Sequence, residues 1–196
     1  MTTVVSVFVF LSGYAGLAAL VGGFIPALVP DKSIMVQGFS VPVWLTPLTC
    51  TLLHGSVLHL LFNMVMLVYC GRETERALGS GGVALLYLVG AYAAAAGQWA
   101  QNPLGTVPTI GASGAIAAII AAYALLYGRN RARNVGPLSA GLIHALWLGA
   151  AWTVINLMIN LAMLTDQPVA VGAHIGGFLA GLVLTRPLLL WRYRKA

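Results

Sequence analysis

Polar side chains stand inside stretches of this chain that are otherwise apolar, and their types limit the chemistry they can perform. His54, His59 and Asn63 fall in one such stretch, Ser113 opens another, His144, Asn156 and Asn160 share a third, and His174 lies in the last. Polar groups in hydrocarbon are costly and face a cavity, a partner or a site. The four acidic residues, Asp31, Glu73, Glu75 and Asp166, all lie between the apolar runs. A helical HExxH metal site and a paired-carboxylate mechanism therefore both lack their essential group. Lys32 and Lys195 lie outside the runs as well, which removes a Ser–Lys dyad. A serine activated by histidine remains, with His59 and Asn63 as candidate donors to an oxyanion. Their i, i+4 spacing puts both on one helix face.

Ser113 sits in Gly111-Ala112-Ser113-Gly114. Small neighbours expose the hydroxyl, and a helix N-terminus at that point favours a developing negative charge. The segment is not a G-x-S-x-G elbow, because residue 115 is Ala and no strand precedes it. In the last apolar run, Gly172, Gly176, Gly177 and Gly181 form two GxxxG pairs flanking His174. Such pairs allow close helix approach, which would bring imidazole to hydroxyl. His144 reads as a structural hydrogen-bonding residue set lower in its span. Polar placement alone leaves two readings open, a Ser–His hydrolytic site and a polar packing cluster.

The elements that must position these groups follow from composition. Of 196 residues, 60% are hydrophobic and only 7% charged, with a mean hydropathy of +0.91. A soluble domain carries about a quarter charged residues, so an ordinary globular protein is excluded, as is a disordered chain. Six apolar segments can be drawn, at about 4–25, 50–70, 81–101, 110–127, 138–160 and 169–190. The expected class is an all-α, multi-pass integral membrane protein with the lipid bilayer as its solvent. No cofactor or metal is expected, and a cleavable signal peptide is not expected either. The +6 charge does not indicate nucleic-acid binding, since the basic residues form short clusters between apolar runs and no basic face.

Those clusters give an orientation. Arg72 and Arg76, then Arg129, Arg131 and Arg133, then Arg186, Arg192, Arg194 and Lys195 fall on one side if six helices alternate, leaving only Lys32 opposite. The positive-inside rule places that side, and both termini, in the cytoplasm; a prokaryotic plasma membrane is the expected location. Helix rise then gives depth. Ser113 lies about 24 Å, His59 about 20 Å and His174 about 18 Å from the cytoplasmic edge, so the three share one level in the outer half. The connection at about 26–49, with Pro26, Pro30, Pro42 and Pro47 beside Phe39 and Trp44, is too apolar for a freely solvated loop. It is expected to lie partly in the outer leaflet.

Taken in order, these residues resemble the rhomboid family of intramembrane serine proteases. His54-Gly55-Ser56-Val57-Leu58-His59 followed by Leu60-Leu61-Phe62-Asn63 is similar to the family's second-helix signature. Gly71, Glu75 and Gly79 match its G-x-x-x-E-x-x-x-G segment. Gly111, Ser113 and Gly114 match the G-x-S-G motif, and Ala173-His174-Ile175-Gly176-Gly177 with Gly181 matches the last-helix motif. The resemblance implies one rhomboid-like transmembrane domain over 1–196 with a six-helix bundle. It implies Ser113 as nucleophile, His174 as general base, and an oxyanion pocket from His59, Asn63 and the Ser113 N–H. Gly111, Gly114, Gly177 and Glu75 would be structural, Glu75 tying a cytoplasmic helix connection. Substrates would be single-span membrane proteins cut near the outer interface.

The chain departs from the pattern at three places. Leu45 follows Trp44 where many members carry Arg, Cys50 replaces a further histidine, and Ala117 stands where an aromatic residue often stacks on the base. The alternatives are an inactive relative that binds membrane clients and a small transporter. The first would normally have lost Ser113 or His174, and the second would show broken helices in symmetric positions.

Overall fold

The computed structural model describes residues 1–30, 41–128, 136–162 and 170–194. Lys32, Phe39, Lys195 and the arginines at 129, 131 and 133 lie outside the described residues. Regular structure among the described residues is helical throughout: α1 (Thr2–Ser12), α2 (Ala15–Gly22), α3 (Thr46–Thr49), α4 (Val57–Gln101), α5 (Ser113–Tyr127), α6 (Ala140–Ala162) and α7 (Val171–Tyr193). Three of these, α4, α6 and α7, are long and apolar enough to cross a membrane.

The six expected spans are redrawn at two places. The first is split, because Gly13 takes a left-handed φ of 75° and its N–H caps the carbonyl of Phe10, closing α1. The second and third are joined in α4, whose hydrogen-bonded ladder continues through the expected connection and breaks only at Gly79, where φ is 76°. Such a φ suits glycine because it has no Cβ to clash. Two legs result, 57–78 and 80–101. The second span also starts later than expected, at Val57 with Ser56 as N-cap accepting from the N–H of His59. His54 therefore precedes the helix instead of lying in it.

Glycine contacts fix how the helices run. A Cβ on Gly90 would press on Ala118, and one on Gly114 on Ala94, so α5 runs antiparallel to the second leg of α4. Gly172 abuts Gly97 and Gly79 abuts Arg192, which makes α7 antiparallel to that leg too. The first leg is parallel to α5. Tyr69 meets Tyr123 hydroxyl to hydroxyl at 3.4 Å, and the Tyr127 hydroxyl donates to the carbonyl of Glu73 at 2.9 Å. Each pair is separated by 54 residues, and the same offset sets His59 level with Ser113.

The helix at the centre is α5, buried at every position from Ser113 to Ala124. A helix apolar all round belongs in an interior, and its alanines and isoleucines pack against α4, α6 and α7. Its 15 residues reach about 22 Å, short of a hydrocarbon core about 30 Å thick. Its first residue, Ser113, is thus recessed when the longer neighbours span.

Candidate active site

The segment leading into α5 is held by backbone bonds before the helix begins. Phe24 and Thr109 exchange N–H to carbonyl bonds of 3.0 and 2.8 Å, and the N–H of Gly111 donates to Cys50 at 2.9 Å. Gly111 then turns at a φ of 115°, and a Cβ there would strike the His59 ring at 2.7 Å. Only glycine gives the chain both that φ and that approach. Ser113 follows as the first residue of α5, whose N-cap Ala112 offers no side-chain acceptor. The first-turn N–H groups of α5 are left without intrahelical partners.

His174 reaches Ser113 through a glycine contact. A Cβ on Gly177 would overlap the carbonyl of Gly114, and one on Gly181 that of Ala118. This second GxxxG pair therefore seats α7 on α5 in parallel, with their first turns side by side. The first pair does other work: Gly172 and Gly176 face Gly97 and Ala93 on α4. Nε2 of His174 lies 2.9 Å from Oγ of Ser113, with both residues buried. His59 and the serine hydroxyl converge on Gly111, each within 4 Å of the point its Cβ would occupy. Asn63 is fully buried one turn deeper; one of its amide protons goes to the carbonyl of His59 at 2.9 Å, leaving its second for another acceptor.

The remaining expectations divide. Glu75 accepts a hydrogen bond from the Ser80 hydroxyl at 2.6 Å, bridging the Gly79 break, while Glu73 pairs with Arg76. Asn156 is turned inward on its own helix, donating to the carbonyl of Trp152 at 2.8 Å. The side chain of Asn160 lies outside the described residues. The hydrogen bond expected of His144 is not made by its Nε2, which is buried with no partner among the described residues. The loop at 26–49 is described only in part. Thr46–Thr49 packs on α4, and the Tyr92 hydroxyl of the second leg donates to the carbonyl of Trp44 at 3.0 Å.

Three residues at the site carried no role in the sequence reading. Trp152 of α6 places its ring 6.3 Å from that of His174, tilted by 46°. It supplies an aromatic neighbour from a different helix than Ala117, which is wholly buried. Gln101, at the end of α4, accepts from the N–H of Gly172 at 2.6 Å and so caps α7 two residues before His174. Ser6 of α1 contacts His54, with its Oγ 2.9 Å from Nδ1. Trp and Gln are ordinary residues in and beside apolar helices, so nothing in their spacing marks them. A buried serine in α1 looks like any small residue at a helix contact.

Comparison with known proteins adds the family. The family model for the Rhomboid domain matches residues 41–191. Rhomboid protease GluP of Bacillus subtilis (strain 168) is 30% identical over 158 residues, 80% of this chain and 28% of that protein. RHOMBOID-like protein 2 of Arabidopsis thaliana is 31% identical over 152 residues, 74% of this chain and 44% of its own length. Rhomboid protease GlpG of Enterobacter sp. (strain 638) is 31% identical over 138 residues, 69% and 45% respectively. The chain thus spans less than half the length of these relatives.

Proposed function

The chain belongs to the rhomboid family, and from that premise we propose that it is an intramembrane serine endopeptidase working through a Ser113–His174 dyad. The observation that carries this reading is the buried 2.9 Å contact between Oγ of Ser113 and Nε2 of His174. Membership and apolar helices make it an integral membrane protein. The substrates are single-span membrane proteins, cut near the outer interface, and both termini face the cytoplasm.

Chemically, the neutral His174 ring accepts the Ser113 proton at Nε2 as Oγ bonds to the scissile carbonyl carbon. The carbonyl oxygen becomes an oxyanion and accepts from the N–H of Ser113, the His59 ring and the second amide proton of Asn63, a reading supported by the His59 ring and the serine hydroxyl meeting at Gly111. The positive end of α5 adds to that stabilisation. His174 then passes its proton to the leaving amine, the C–N bond breaks, and an acyl-serine remains. Water, deprotonated by the same imidazole, hydrolyses the ester and restores the serine. A cavity of about 20 Å³ beside Ser113, lined by Cys50, Thr51 and Thr109 among others, has room for one water molecule.

The test is incubation of the purified protein with a generic single-span substrate. Cleavage by the wild type and none by Ser113→Ala supports the reading. Binding of the substrate without cleavage by either would favour a client-binding relative.

A further inference from the structure

His54 is the buried titratable side chain that the mechanism above leaves unused. It sits in the turn before α4, 2% exposed, with Nδ1 2.9 Å from Oγ of Ser6. Ser6 is the one buried residue of α1, at 0% exposure. The same Oγ lies 2.7 Å from the carbonyl of Leu52. A carbonyl only accepts, so the hydroxyl proton goes to Leu52, and Ser6 must accept from the Nδ1–H of His54. That fixes the tautomer, because the hydrogen bond at one ring nitrogen decides the state of the other. Nε2 of His54 is then a lone-pair acceptor, buried with no partner among the described residues. The ring meets that of His59 edge to face, with centroids 5.0 Å apart and planes at 67°. The His59 ring in turn rests on Gly111, beside the serine hydroxyl. Contacts therefore run unbroken from α1 to the oxyanion donor.

We propose that Ser6 and His54 are positioning residues that fix His59 as a donor to the oxyanion, an inference resting on the protease reading above. With its tautomer locked by Ser6, His54 brings a lone pair and not a second N–H into the cluster it shares with His59. The Ser6 hydrogen bond holds the His54 ring in one orientation, and the edge-to-face contact passes that constraint to the His59 ring, which fixes the direction of its N–H. Ser6 lies outside residues 41–191, so this support comes from a helix that the family model does not match. A purely structural hydrogen bond holding α1 to the bundle would act on stability, with no selective effect on turnover.

The experiment measures kcat, KM and Tm on a single-span substrate for wild type, Ser113→Ala, Ser6→Ala, His54→Phe and His54→Gln. It adds His59→Ala alone and combined with Ser6→Ala. The expected result is a fall in kcat of about tenfold for Ser6→Ala at unchanged KM, from the loss of one buried hydrogen bond. His54→Phe falls at least as far, and His54→Gln, which keeps a donor and an acceptor, recovers most of the rate. In the His59→Ala background Ser6→Ala adds less than about twofold, since residues acting through one another are not additive. Wild-type kcat in both Ser6→Ala and His54→Phe would overturn the proposal. So would the same fold loss with and without His59, or a change in Tm alone. A Ser113→Ala protein that cleaves like wild type would overturn the protease reading first, and this inference with it.

Discussion

On the proposed dyad, His174 acts as a base with no carboxylate behind it among the described residues, its Nδ1 being buried without a partner there. All four acidic residues lie between the apolar runs, so the orienting role that an aspartate plays in a triad falls to packing. Trp152, buried and 6.3 Å from the imidazole, is the neighbour placed to do this. Trp152→Phe should keep most of the rate, because a ring remains beside the base. Trp152→Ala should lower kcat by on the order of 10²-fold, the scale of a displaced reacting group, and should cost about 3–5 kcal/mol of stability. Kinetics and thermal unfolding of the two variants check this, and equal kcat in both would remove Trp152 from the site. Asn63→Ala should reduce the rate by about 10²–10³-fold, as loss of one oxyanion donor does, while His174→Ala should abolish cleavage. The polar candidates were legible in the sequence because Ser113, His59, Asn63 and His174 are conspicuous in apolar runs. Trp152 was not, because an aromatic there differs in no way from packing. The position of Ala117 points to α5 for a stacking partner, whereas the ring contact comes from α6.

Glycines decide which helices touch, and the structure separates those that matter from those that do not. Gly177 lets α7 lie against the carbonyl of Gly114, and the whole Ser113–His174 distance depends on that approach. Gly177→Ala should therefore push the two first turns apart, lowering kcat by on the order of 10²-fold or more together with stability. Gly16 of α2 has nothing within 4 Å of its Cβ position. Gly16→Ala should be neutral or stabilise by about 0.5–1 kcal/mol, since alanine loses less entropy in a helix. Melting temperatures and turnover of the pair test the contrast, and a Gly177→Ala protein with wild-type kcat would remove the contact from the mechanism. Apolar periodicity could show where helices occur but not where they break. Gly13 and Gly79 are two of 23 glycines, and their left-handed φ is invisible until the chain around them is placed. The two GxxxG pairs in α7 were readable as a contact surface. Their division between α4 and α5 was not, because it depends on which neighbour each helix face meets.

At the scale of the whole molecule, the membrane class follows from composition alone, while access to the site does not. If six apolar runs alternate across the membrane, the sequence puts the basic residues nine to one on one side, so a reporter fused after Ala196 should be found in the cytoplasm. Labelling of that tail from outside intact cells would invert the orientation and place Ser113 on the wrong side. Ser113 is 8% and His174 4% exposed, so on the proposed protease reading a membrane-embedded substrate cannot reach the pair as the helices stand. Some element must move. The second leg of α4, α5 and α7 interlock through backbone-to-backbone glycine contacts, which leave little freedom. The helix α6 is held differently: it leans on α5 and makes few contacts with α4 or α7, with Trp147 fully outward at 72% exposure. Of the helices packed around the reacting pair, we propose that α6 is the one that tilts away and opens a path between itself and the first leg of α4. A disulfide engineered between α6 and residues 57–70 of α4 should then block cleavage of a whole single-span substrate. The same crosslinked protein should still react at Ser113 with a small fluorophosphonate, which needs far less room. Unchanged turnover of the membrane substrate with the crosslink complete would exclude α6 as the gate and leave the loop around α3 as the part that yields.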